Sequence, residues 1–240
     1  VDPLASLSDD FESGSTMTGN GWTIEDSSPS ATPSDLITSG EADLTVTAGG
    51  ANGSFWFDGN DGVLWYKTVT GACDFRARVR VRNATDTGLP PTSSFRIAGI
   101  QAADPDRSAL NYVHGGVGAT NDGVASIEYK TTDASVSTYD GTAATLTGGA
   151  FLYDLRLVRD PSDLQVFRFY ARAGTAQDLD SDTDWTLIQT IDRSDDTVPA
   201  RASAVSMPDT LRWGFMLYGL ANPPNIRMFV DSCLFSTPSA

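Results

Sequence analysis

Arginine occupies every second position of the stretch FRARVRVR, at Arg76, Arg78, Arg80 and Arg82, with Ala77, Val79 and Val81 between them. Alternation of that period marks a β-strand, so four guanidiniums share one sheet face while Phe75, Ala77, Val79 and Val81 share the other. A slip of one residue would bury all four charges, which fixes the register. The residue type suggests three uses for such a face. Cross-strand pairing with Asp and Glu contributes about 0.2–1 kcal/mol per exposed pair. A subunit interface, homo-oligomeric or with a neighbouring structural protein, is the second, since Arg is enriched there and binds carboxylates in bidentate fashion. Recognition of an acidic glycan is the third, with Arg168, Tyr170, Tyr218, Trp65 and Tyr129 supplying charge and stacking surface from neighbouring strands. The residue pattern leaves all three open.

Other candidate chemistry is sparser. Asp178, Asp180, Asp182 and Asp184 alternate through one segment, the start of an oxygen-rich calcium site. Thr183 stands where an EF-hand loop needs Gly, and Gln189 where it needs a bidentate Glu, so a solvated acidic loop tip is the plainer reading. Asp58-Gly59-Asn60-Asp61-Gly62 is a weaker second candidate. His114 is the single histidine, in NYVHGGVG, with no second histidine for zinc and no serine in a nucleophile elbow. A structural place within a sheet is its simpler role. Glycoside hydrolysis needs two carboxylates about 5–9.5 Å apart. Glu12, Glu25, Glu41 and Glu128 are the only glutamates, and the aspartates fall mostly in turns. Tyr112, His114, Arg78 and Gln101, if brought together, would make a lyase site for a uronate. Cys73 and Cys233 could close a very long loop through a disulfide, adding up to ~4–5 kcal/mol, or could remain two buried thiols.

These residues need a scaffold, and the stretch FLYDLRLVRDPSDLQVFRFYAR, Phe151 to Arg172, defines it. Leu155 and Leu157 alternate with Asp154 and Arg156, Phe167, Phe169 and Ala171 alternate with Arg168, Tyr170 and Arg172, and Asp160-Pro161-Ser162-Asp163 separates the runs. That is a β-hairpin with one apolar face, which must lie in a larger covered sheet. Further strands are expected from Leu44 to Val46 and over Ser54–Phe57, Leu64–Val69, Phe75–Arg82, Ser94–Ala102, Tyr112–Gly118, Ala125–Thr131, Thr186–Ile191, Arg212–Tyr218 and Ile226–Phe235. Residues 1–40 read as an N-terminal arm and loop, with Ser27 to Ser39 a Ser/Pro/Thr-rich loop and with Phe11 and Trp22 plugging one end of the core. Residues 41–240 read as one domain. The expected fold is all-β, a two-sheet antiparallel sandwich of the jelly-roll kind.

Composition narrows the partners. With 240 residues and 40% hydrophobic, the chain can bury a sizeable core. A net charge of -15 argues against nucleic acid and against anionic membrane surfaces. No apolar run approaches the ~20 residues of a membrane span. Val1 at the start suggests a removed signal peptide or initiator Met.

The segments TVTGACDFRARVRVRN, FRIAGIQAADPDRSALNYVHGGVG, IEYKTTD, YDLRLVRDPSDLQVFRFYAR with DWTLIQTIDR, and LRWGFMLYG before MFVDSCLF resemble, in this order, the concanavalin-A-like lectin/glucanase superfamily, and within it an uncharacterised bacterial and phage-borne branch. The resemblance runs roughly from Leu44 to Phe235. It implies two curved sheets whose concave face is a glycan groove. Cys73 and Cys233 replace other residues of the pattern, and the paired departure favours their bonding. The Glu-x-Asp-x-x-Glu strand of the catalytic members is absent, and Ile127-Glu128-Tyr129-Lys130 offers one carboxylate. The resulting expectation is a non-enzymatic attachment or decoration protein, extracellular or on a virion surface, that binds a glycan or a neighbouring structural protein without a required cofactor. The alternative is a lyase or hydrolase of an acidic glycan.

Overall fold

The computed structural model describes residues 2–26, 32–46, 63–83, 91, 96–106, 111–119, 125–134, 136–145, 152–174, 177–200, 204–219 and 226–239. The hairpin expected from Phe151 onward forms from β10 (Leu152–Arg159) and β11 (Val166–Ala173), paired Leu155 to Ala171 and Leu157 to Phe169. Asp160 makes the turn: its carboxylate accepts from the Ser162 hydroxyl at 2.6 Å, from Arg168 at 2.5 Å and from the Ser162 backbone N–H at 2.8 Å. These bonds hold its pKa well below the ordinary carboxylate value.

Around the hairpin lies a seven-stranded antiparallel sheet. Its other members are β12 (Thr186–Asp192), β5 (Cys73–Asn83), β14 (Ile226–Ser236), β3 (Glu41–Val46) and β2 (Pro33–Thr38), in the order β12-β11-β10-β5-β14-β3-β2. The second sheet also has seven strands: β1 (Thr23–Asp26), β4 (Val63–Thr70), β13 (Thr210–Gly219), β6 (Arg96–Ala103), β7 (Tyr112–Ala119), β8 (Ala125–Asp133) and β9 (Val136–Thr145), in the order β1-β4-β13-β6-β7-β8-β9. The expected two-sheet antiparallel sandwich is therefore what the chain forms.

Period-two patterning selects the inner faces. Phe75, Ala77, Val79 and Val81 of β5 meet Leu211, Trp213, Phe215 and Leu217 of β13 within one buried cluster. Phe75 stacks on Phe235 with centroids 4.4 Å apart and meets Phe215 edge-on at 5.5 Å. Gly115 faces inward as well, and a Cβ there would lie 2.2 Å from the Phe169 ring. Phe11 and Trp22 join this core, with Trp22 at 5.2 Å from Phe215. Lys67 lies over the Trp22 ring and donates to the Leu7 carbonyl at 2.8 Å.

Three departures have physical causes. The loop expected over Ser27–Ser39 contains β2. Pro33 is its first residue and Leu36 and Thr38 are exposed, as an edge strand permits, and its outer rim is capped by Ser15–Met17 backbone hydrogen bonds. The Thr- and Ser-rich β9 is a second edge strand without apolar alternation to announce it. The cysteines are not bonded. Cys233 pairs with Ala77 and Phe235 with Phe75, which puts Cys73 four residues along the ladder. At about 3.3 Å per residue that is roughly 13 Å, far beyond the ~7 Å limit for a disulfide. The expected strand Ser54–Phe57 and the turn 58–62 lie outside the described residues.

Candidate functional site

The arginine strand β5 sits at the centre of the first sheet, and its outward face is closed by the protein's own acids. Arg76 bonds Asp74 at 2.8 Å and Asp182 at 2.6 Å. Arg78 and Arg172 grip the fully buried Asp154 from two strands, at 2.8 and 2.9 Å. Arg156 reaches Asp74 at 2.7 Å, Arg80 reaches Glu41 at 2.6 Å, and Arg227 pairs with Asp43. Arg82 is buried and donates to the Val81 carbonyl.

The acidic segment 177–185 lays its backbone across this face, while Asp178, Asp180, Asp182 and Asp184 stay exposed to solvent, as the plainer reading expects. Arg172 donates to the carbonyls of Asp178, Ser181 and Thr183, Arg76 to that of Asp180, and Arg78 to that of Gln177. Trp185 stacks on Arg172 at 4.2 Å. The backbone carbonyls of the loop are thus turned onto guanidiniums. Asp182 pairs with arginine and Asp184 accepts from Gln177. Among the described residues no group of three or more His, Cys, Asp or Glu side chains is arranged to hold a metal ion.

The aromatics proposed to flank the ladder separate. Tyr170 and Arg168 do lie on the same face, lining a cleft of about 540 Å³ with Arg156, Asp160 and Pro238, yet both arginines are already paired. Trp65 and Tyr129 belong to the second sheet and point into the core. Tyr218 is on the second sheet's outer face, buried, and its hydroxyl is pushed up to about 12 by that burial. No site combining the ladder with Trp65, Tyr129 and Tyr218 exists, because the two sheets lie back to back.

A different constellation appears on the outer face of the second sheet. Antiparallel register places Gln101 of β6 opposite His114 of β7, and His114 opposite Lys130 of β8. On the other side Gln101 faces Gly214 of β13, which faces Tyr66 of β4. Tyr112 and Thr132 form the next rung in one direction, Gly116 and Glu128 in the other. A Cβ on Gly214 would strike the Trp65 carbonyl, and one on Gly99 the Gly115 carbonyl, so the strands beside Gln101 present bare backbone.

Gln101, His114 and Lys130 are fully buried. Burial, with the Lys130 charge second, lowers the His114 pKa from 6.5 to about 3, while the Ile100 backbone acts in the opposite sense, so the imidazole is neutral at physiological pH. Lys130 lies 5.6 Å from the Tyr112 ring centroid. Glu128 accepts from Ser126 Oγ at 3.3 Å. Both amide atoms of Gln101 are buried without a hydrogen-bond partner. Of the grouping Tyr112, His114, Arg78 and Gln101, the structure unites three and puts Arg78 on the opposite sheet. Lys130 is the member that the sequence pattern did not single out. Its i, i+2 relation to Glu128 was visible, but its alignment with Gln101 depends on the register of three strands.

No family model and no curated protein sequence matches the chain. Solved structures do. A functionally unknown protein from Saccharomyces cerevisiae superposes with a TM-score of 0.60 at 16% identity, over 91% of this chain and 97% of that one. The GH43 protein BlXynB (K247S mutant) from Bacillus licheniformis gives 0.60 at 14% identity over 99% of this chain, which spans only 40% of that protein's length. The cellulose-induced protein Cip1 gives 0.52 at 18% identity, over 97% and 98% of the two chains. These likenesses show the fold alone, a two-sheet antiparallel β-sandwich of the jelly-roll kind.

Proposed function

We propose that the chain is a carbohydrate-binding jelly roll whose ligand lies on the outer face of the second sheet, along Gln101, His114 and Lys130. The observation that carries this reading is the Gln101 amide. A buried amide without partners costs about 1–3 kcal/mol, and a sugar hydroxyl, donor and acceptor at once, satisfies both its atoms. Proteins of this fold whose names point to glycans, the GH43 protein and a xylan β-1,4-xylosidase from Bacillus halodurans among them, support the reading by analogy. The row is closed to water, so entry of a sugar requires rearrangement above it and association slower than free diffusion allows.

Binding proceeds without turnover. On β13, β6, β7 and β8, Glu128 is the one outward carboxylate among the described residues, short of the pair that hydrolysis needs. A histidine held near pKa 3 is a weak base for a lyase. Displayed outside a cell or on a virion, such a domain would serve attachment. The test is retention of wild type and Gln101→Ala on a panel of immobilised polysaccharides, with reducing ends and unsaturated products assayed in parallel. Retention by wild type alone, with neither product, supports the reading. Equal retention of both proteins, or release of either product, contradicts it.

A further inference from the structure

We infer that the cleft at the turn end of the β10–β11 hairpin binds a small carboxylate, an acid group carried on an apolar, ring-sized body. This site is separate from the row on the second sheet and independent of the carbohydrate reading. Cross-strand register sets its floor: Arg156 lies opposite Tyr170 and Val158 opposite Arg168, all four on the outward face of the first sheet. Pro161 of the turn and the buried Pro238 wall it. Asp2 fixes the second wall, accepting from the Thr237 backbone N–H at 2.7 Å and from its hydroxyl at 3.1 Å. The space between is about 540 Å³, within the range of small-molecule sites.

Arg168 recognises the acid group. It stands outside the network built on Asp74 and Asp154, its side chain 35% exposed. Its one side-chain hydrogen bond among the described residues runs from Nη1 to Asp160. The Nε–Nη2 edge, a pair of parallel N–H donors, is left without a protein acceptor, and such an edge matches the two oxygens of a carboxylate. Arg156 is committed, since its Nε and Nη2 both reach Asp74, so it contributes charge and covers the Tyr170 ring at 5.3 Å. Two guanidiniums against the single carboxylate of Asp160 make the lining cationic in a chain of net charge -15.

The acceptors decide against a sugar here. Asp160 Oδ1 takes the Ser162 N–H and hydroxyl and the Asp163 N–H, and Oδ2 takes Arg168. A sugar would bring several hydroxyl donors to a lining whose only carboxylate is already spent. Val158, Tyr170 and the two prolines instead offer apolar surface. One acid group on an apolar body suits both halves of the cleft.

The test follows the Nε–H signals of wild type carrying isotope-labelled arginine as benzoate, benzamide, acetate or inorganic phosphate is added at about 0.15 M salt. Arg80 is the internal control: its side chain is 34% exposed and paired with one acid, Glu41, and it does not line the cleft. The Arg168 signal should move and saturate with benzoate, half-way at or below about 5 mM, while Arg80 stays in place. Benzamide, which keeps the ring and loses the charge, should bind at least about tenfold more weakly, as should acetate, which keeps the charge and loses the ring. Tyr170→Ala should bring benzoate down to the acetate level. Arg168→Gln, titrated by calorimetry beside wild type, should show no binding, and should it fail to fold, Tyr170→Ala and wild type carry the test. Arg80 and Arg168 moving together means an adventitious ion only and overturns the site, as does a benzoate response that never saturates or binding retained by Arg168→Gln. Benzamide equal to benzoate overturns the carboxylate. Acetate equal to benzoate, or no loss in Tyr170→Ala, overturns the apolar body. Phosphate tighter than benzoate overturns the choice of a planar, two-oxygen anion.

Discussion

Asp154 on the first sheet and Gln101 on the second are buried to the same degree, and their surroundings differ in one respect. Asp154 is held by Arg78 and Arg172, which spend their remaining donors on the carbonyls of the 177–185 segment. Gln101 stands in an equally polar row and meets no partner. A closed network rigidifies and has nothing left to offer a ligand. An open one carries a standing cost that only a partner removes. The more conspicuous polar face is therefore structural, and the less conspicuous one is the candidate site.

Breaking the closed network should give the largest effect. Asp154→Ala leaves two partly buried guanidiniums without their carboxylate and should destabilise the fold by about 3–5 kcal/mol, measured by urea unfolding. A loss below about 1 kcal/mol would show that the arginine face is looser than its geometry implies.

The buried histidine of the second sheet should respond to acid. His114 takes a proton near pH 6.5 when unfolded and only near pH 3 when folded. The stability gained by keeping it neutral is complete above pH 6.5 and is lost progressively as pH falls toward 3. His114→Gln should flatten that decline relative to wild type in melting temperatures taken from about pH 7 to about pH 4. Parallel curves would contradict the burial of a neutral imidazole.

Gln101→Leu sharpens the contrast by its sign. Removing an unsatisfied amide should raise stability by about 1–2 kcal/mol in the unliganded protein, where removal of Asp154 lowers it. A fall of that size would mean that Gln101 already has a partner.

Much of the architecture was legible in the sequence because burial imposes period two on strands. The β5 and β10–β11 alternations assign their faces without further information, and the Asp160 turn was readable from Asp-Pro-Ser-Asp. What alternation cannot give is which strands are neighbours. The ladder was joined to Trp65, Tyr129 and Tyr218 because each alternates in its own strand, and only the sheet order puts them on another layer. The same limit hid the Gln101–His114–Lys130 row, built from residues on three strands. Edge strands β1, β2 and β9 escaped because one-sided burial leaves no strong pattern, and the cysteine spacing could not reveal a four-residue offset along one ladder.

The smallest expected effect is on the ladder's exposed end. Arg80→Ala breaks a half-exposed pair with Glu41 and should cost no more than about 1 kcal/mol, with glycan retention unchanged. Lost retention would return the arginine face to consideration as the binding surface.

The separation of the two faces is tested most directly by NMR of the labelled protein as a soluble oligosaccharide of a polymer that retains it is added. The account predicts that the Gln101 side-chain amide and the His114 ring signals shift while the Arg78 and Arg172 Nε–H signals stay in place. Shifts confined to the arginine signals would contradict it.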